Sequence, residues 1–285
     1  MNSGETSTKI IIISILTILC SVAFTIAVHV IMPAPVNVGQ LDSVFVTLFG
    51  FPIVAVSYFL ILYTQCTIAV RYICHRTKAS NLQTGIRFGL SFALIYLFGM
   101  QEVMVESSPF TAYGFEFIKY QFFMGLGDAI PVFLLCIVIA LFTIKNSDKD
   151  TTVENIKISA RLCAIFVIAI SFLIGRTVGY ELGIINSNCN TYTFPCYIWT
   201  ALFGVILGYI YTMLYPVLSD QRKWFHVPIR FILIIGLNWM IFNSFIGLIM
   251  KGTMSDVLLR SGLDVIVLFI ASCIIGRFIL KSAVK

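Results

Sequence analysis

Charge is what this sequence has least of. Only 11% of its 285 residues are Asp, Glu, Lys or Arg, against about 25% in a soluble domain. With 59% hydrophobic residues and a mean hydropathy of +0.97, the chain cannot cover a water-soluble fold with polar surface. Histidine is scarce too, with His29, His75 and His226 the whole supply. There is no His-Glu-x-x-His, nucleophile elbow or phosphate loop, so the signatures of zinc peptidases, serine hydrolases and P-loop enzymes are missing. No cofactor and no metal site are expected. The net charge of +6 includes no Lys/Arg cluster with interleaved aromatics, so no nucleic-acid partner is expected.

Long apolar runs are what the sequence does have. Eight stretches, near 10–32, 44–70, 88–106, 120–144, 159–180, 197–217, 229–250 and 258–280, are long enough to span a hydrocarbon core about 30 Å thick. The expected fold class is an all-α polytopic membrane protein of eight transmembrane helices, with the lipid bilayer as its first partner. The first stretch ends at Met32-Pro33-Ala34-Pro35 without a small-x-small cleavage site and reads as a retained span.

Fifteen of the 19 Lys and Arg residues fall on one side of this plan: Lys9, Arg71, Arg76, Lys78, Arg87, Lys145, Lys149, Lys157, Arg161, Arg222, Lys223, Arg230, Arg277, Lys281 and Lys285. Basic loops stay in the cytoplasm. Both termini are therefore expected to be cytoplasmic and the protein to sit in the cytoplasmic membrane. Tyr113, Phe115, Tyr192, Tyr197 and Trp199 lie near outer boundaries and Trp224 near an inner one, where an interfacial aromatic belt belongs. Six cysteines (Cys20, Cys66, Cys74, Cys136, Cys163 and Cys273) lie in or beside spans and read as small apolar side chains. Cys189 and Cys196 flank a polar outer stretch, where an oxidising exterior permits a disulfide.

The chain divides into a first four-helix half (1–146), a cytoplasmic linker (147–158) and a second four-helix half (159–285). The stretch from Asp128 to Phe142 aligns without a gap to that from Asp264 to Phe278. Leu48-Phe49-Gly50 recurs as Leu202-Phe203-Gly204, and Phe98-Gly99-Met100-Gln101 resembles Ile235-Gly236-Leu237-Asn238. Four spans per half would make two parallel pseudo-repeats, an arrangement in which substrate sites lie near mid-membrane at the repeat interface.

The few charges inside the apolar runs form a layer. Glu102 follows Arg87, and Arg176 follows Arg161, by 15 residues, about 22 Å along a helix. Asp128 precedes Lys145, and Asp264 precedes Lys281, by 17, about 25 Å. All four counts converge on the outer half of the bilayer. Gln101 sits beside Glu102, and Asn238 and Asn243 share the seventh span. Arg260 and Glu181 lie four and five residues from Asp264 and Arg176 on the outer side. Charge at membrane depth is costly and marks a pathway or a site. Arg176 needs an anionic partner, with Glu102, Asp128 and Asp264 available. Three acids against one arginine leave surplus carboxylate for a proton or cation. His29, near the outer end of the first span, reads as a solvated interfacial histidine.

Gly125-Leu126-Gly127-Asp128, followed by Ala129-Ile130-Pro131, resembles the GxGD motif of the intramembrane aspartyl proteases, the presenilin and signal-peptide-peptidase group. That resemblance implies that Asp128 is one of a catalytic pair activating water. It covers about ten residues, and the family's Tyr-Asp pair and Pro-Ala-Leu motif are missing.

The leading expectation is a transporter or permease for a small solute or ion, with a charge-lined cavity in the outer half. Its binding residues would be Asp128, Asp264, Arg176, Glu102, Gln101, Asn238, Arg260 and Glu181. The alternatives are a GxGD-type protease using Asp128 and a non-catalytic membrane subunit, immunity factor or sensor.

Overall fold

In the computed structural model, residues 3–32, 41–105, 114–144, 156–219 and 224–280 are described. Several sequence expectations lie outside them: the Pro33–Pro35 segment, Tyr113, most of the 147–158 linker, and Lys145, Lys149, Arg222, Lys223, Lys281 and Lys285. The described residues contain helices and no strands. Eight helical segments among them are long and apolar enough to cross a membrane, which fits an integral multi-pass membrane protein. Only helices and closed barrels satisfy their backbone polar groups within lipid.

In chain order the helices are α1 (Ser3–Ile31), α2 (Val44–Phe49), α3 (Phe51–Cys74), α4 (Asn81–Gly99), α5 (Gly114–Phe142), α6 (Ile158–Glu181), α7 (Thr193–Leu218), α8 (His226–Phe231), α9 (Leu237–Ile249) and α10 (Met254–Ile274). Helix α4 tightens into a 3-10 turn at Met100–Met104. A π-helical turn, Ile232–Gly236, joins α8 to α9 into one span, and another, Ile275–Ile279, ends the eighth. Arg71, Arg76, Arg161 and Arg277 share one end of the bundle, the basic end; the opposite end is the far end.

Two boundaries differ from the sequence reading. The stretch 44–70 is not one helix. It breaks at Gly50, whose φ of 79° favours glycine, and Pro52 restarts the chain in the first turn of α3, where proline costs no hydrogen bond. Ser43 caps α2 by accepting from Val46 N (3.0 Å). The third span begins at Asn81 rather than 88, because Ser80 caps it by accepting from Gln83 N (3.2 Å). Arg87 therefore lies inside a span, and Arg176 is not the only intramembrane cation. Arg87 Nη1 donates to the carbonyl of Met213, three residues before the helix-disrupting Pro216 in α7.

Helices α4 and α5 pack tightly, as do α6 and α7. Glycine makes this possible. A Cβ on Gly89 would lie 2.8 Å from the Phe133 carbonyl oxygen, and one on Gly208 would lie 2.8 Å from the Ile165 backbone. Small residues let helix backbones approach in membranes, where packing replaces the hydrophobic drive. Helix α1 covers α5 and α3, α10 covers α6 and α9, and α3 and α7 cross to α9 and α4 respectively. Trp199 is not in an interfacial belt. It is 4% exposed and donates from Nε1 to the Phe98 carbonyl at 3.0 Å.

Beyond α6, the chain turns back with Cys189 and Cys196 joined as a disulfide, Cα atoms 5.4 Å apart. It pins the first turn of α7 to the preceding loop, where Thr193 Oγ1 also donates to the Cys189 carbonyl (2.7 Å). Replacing both cysteines by serine is expected to cost about 2–3 kcal/mol for so short a loop, read as a lower unfolding midpoint in detergent. Equal midpoints with and without the bridge would contradict that role.

Candidate functional site

The charged layer resolves into two separate clusters. In the larger one, the Arg176 guanidinium on α6 donates from Nε to Asp264 Oδ1 and from Nη2 to Asp264 Oδ2, both at 2.6 Å. This is the bidentate fork that arginine is built to make. Nη2 also donates to Glu102 Oε1 at 2.6 Å. Asp264, on α10, accepts a further bond from Trp239 Nε1 (2.9 Å). Phe172 and Trp199 place their rings 5.4 and 5.6 Å from the guanidinium carbon, within cation–π range. Tyr180, one turn beyond Arg176, hydrogen-bonds Thr200 Oγ1 (3.1 Å).

Arg260 completes this cluster. Its Nε lies 3.2 Å from Glu102 Oε1 and its Nη2 donates to Asn243 Oδ1 at 3.2 Å. It pairs with Glu102, not with Asp264 as a screening charge four residues away. The 3-10 turn at Met100–Met104 carries Glu102 into the space between the two arginines. Two carboxylates therefore face two guanidinium groups, and the formal charge cancels. The four residues are 1–6% exposed.

Asp128 stands apart from Arg176. Its Oδ1 lies 2.9 Å from His29 Nε2, and the imidazole makes an edge contact with Phe59, ring centroids 5.5 Å apart. The His29 side chain is 19% exposed, that of Asp128 3%. Local sequence explains the seat. Pro131 has no N–H to offer the Gly127 carbonyl one turn earlier, and Thr25 Oγ1 approaches that carbonyl at 3.4 Å. Tyr63 OH bonds Thr25 Oγ1 (2.6 Å) and reaches the Asp128 carbonyl (3.5 Å). Gly127 has no Cβ to obstruct Val28, whose Cγ1 lies 2.6 Å from where one would be. His29 is not merely a solvated interfacial histidine. Its place beside an intramembrane acid could have been suspected from its 147-residue offset to Arg176, which falls near the 136-residue offset from Asp128 to Asp264.

The remaining polar candidates scatter. Asn238 donates to Gln65 Oε1 (2.9 Å) and Tyr96 OH (3.0 Å), forming a neutral cluster of α3, α4 and α9. Gln101 faces α5, with its amide oriented to donate to the Ile118 carbonyl (3.3 Å) and accept from Phe122 N (3.0 Å). Glu181 accepts from Tyr197 OH (3.2 Å) at the surface rather than screening Arg176. No His/Cys/Asp/Glu group suited to a metal ion occurs among the described residues. The charged side chains contact one another, and a cavity of about 670 Å³ between α3 and the seventh span is lined by none of them.

The chain matches no family model, no curated protein and no solved structure.

Proposed function

We propose that the protein is a non-catalytic integral membrane protein, of the subunit, immunity or sensor kind, in which intramembrane charge locks helices together. One observation carries this reading: Glu102, Arg176, Asp264 and Arg260 neutralise one another while buried. A buried charge left alone is costly, and a paired set with good geometry is tolerated. The network ties the third, fifth and eighth spans directly and the seventh through Trp239 and Asn243. The basic loops support a cytoplasmic location for both termini in a cytoplasmic membrane.

The protease reading loses its support. Asp128 faces an imidazole, and Asp264 is engaged by Arg176 and Trp239, so among the described residues neither forms the shared-proton carboxylate pair of aspartyl proteases.

A small-solute or ion carrier is the second reading, favoured by a correspondence between halves. His29 of the first helix pairs with Asp128 of the fourth span, and Arg176 of the fifth pairs with Asp264 of the eighth. These pairings support a duplication into halves 1–146 and 159–285. The Leu-Phe-Gly match does not, since Gly50 lies at a helix break and Gly204 inside α7.

Vesicles carrying the purified full chain and a pH-sensitive dye separate the two readings. The lock predicts proton and small-cation flux no faster than in protein-free vesicles. Flux above that background, abolished by Asp128→Asn, would overturn the lock and favour the carrier.

A further inference from the structure

We propose that the groove between α3 and the seventh span holds an anionic phospholipid from the leaflet at the basic end. The groove has a volume of about 670 Å³, within the roughly 300–1,000 Å³ of ligand sites. Its walls are apolar: Ile61, Ile68, Leu233 and Leu237 line it and are 45–63% exposed, facing the membrane. Along α3 the lining runs from Leu60 to Tyr72, about 18 Å at 1.5 Å per residue. That is close to one leaflet, half of a hydrocarbon core about 30 Å thick. An acyl chain fits this length; the polar side chains in the depth are Thr64 and Gln65, and the Gln65 amide is engaged by the Ile234 carbonyl and Asn238 Nδ2.

The mouth supplies the headgroup chemistry. Arg230 and Tyr72 line the basic end of the groove. Arg76 lies over the Tyr72 ring, its guanidinium carbon 3.8 Å from the centroid. Two guanidinium groups thus flank the level where a lipid phosphate sits. Basic residues at that level attract anionic lipids, and arginine matches phosphate oxygens in pairs. The far wall is built on the π-helical turn Ile232–Gly236, a distortion that is frequently retained at functional sites. Gln65 Nε2 accounts for the Ile234 carbonyl at 3.0 Å, so the distorted turn presents hydrocarbon rather than an open backbone group. Arg230 Nη1 also donates to the Leu218 carbonyl (2.7 Å), which fixes the guanidinium near the mouth.

The test uses the full chain, delipidated in neutral detergent and given an equal mixture of phosphatidylglycerol and phosphatidylcholine with the same chains. Bound lipid is counted by native mass spectrometry. One phosphatidylglycerol per protein, retained about tenfold over phosphatidylcholine, is the expected result, the factor that roughly 1.4 kcal/mol would give. Arg76→Gln should shrink the preference, and Arg76→Gln with Arg230→Gln should remove it. Ile68→Trp with Leu233→Trp fills the groove from membrane-facing positions and should abolish retention of both lipids without lowering the unfolding midpoint. If the double arginine variant does not fold, the single variant and the tryptophan pair decide the matter. Equal retention of the two lipids by the unmodified chain would overturn the proposal. So would retention unchanged by the tryptophans, or displacement by inorganic phosphate alone.

Discussion

Arg176→Gln is expected to destabilise the protein by about 3–5 kcal/mol, the cost of removing one partner of a buried ion pair. Glutamine keeps a donor but not the charge, and it cannot span both oxygens of Asp264 while reaching Glu102. Asp264 would be left with Trp239 as its remaining donor, whereas Glu102 would keep Arg260. Arg176→Lys should not rescue, since an ammonium is a point charge and not a planar fork. Arg176→Gln combined with Asp264→Asn should cost less than Arg176→Gln alone, because no uncompensated charge remains. Thermal unfolding in detergent of the unmodified protein, Arg176→Gln, Asp264→Asn and the double variant, with Arg176→Lys alongside, gives the comparison. Additive losses would mean that the pair is not coupled.

Gly208→Leu should also destabilise the protein, by a different route. The added Cβ would start 2.8 Å from the Cα and carbonyl oxygen of Ile165. These are backbone atoms, so relief requires α6 and α7 to separate. Overpacking costs about 1–3 kcal/mol and occasionally more, and here the close approach at Gly204, where a Cβ would lie 3.0 Å from the Ala169 carbonyl oxygen, would be lost as well. Gly262→Ala is the control. Nothing lies within 4 Å of its Cβ position, and alanine in place of helical glycine should stabilise by about 0.5–1 kcal/mol. Equal midpoints for Gly208→Leu and the unmodified protein would contradict the packing.

Much of the fold was legible because hydropathy reports membrane depth. Eight apolar runs became eight spans, and errors arose where a local signal had to outweigh hydropathy. Gly50 interrupts a run that is apolar on both sides. Arg87 looked like a boundary because its partner, the Met213 carbonyl on α7, lies far along the chain. The charged layer was also legible, since Glu102, Arg176 and Asp264 do meet. Depth, however, says nothing of which way a helix faces. Asp128 shares the layer with Arg176 and yet points at α1. Gln101 adjoins Glu102 in sequence, but the two side chains leave the helix in different directions. Trp239 carried no charge to draw notice, though it holds Asp264 in place.

The central claim is that the four charges satisfy one another in a closed, dry bundle, and water access tests it most directly. Ser261 lies one turn before Asp264, fully buried, with its hydroxyl on the Val257 carbonyl at 2.7 Å. In Ser261→Cys protein, a water-soluble methanethiosulfonate reagent added to reconstituted membranes should label no faster than it labels the parent chain. Rapid labelling at position 261, suppressed by a solute or ion, would reveal a hydrated passage beside the charges and contradict the account.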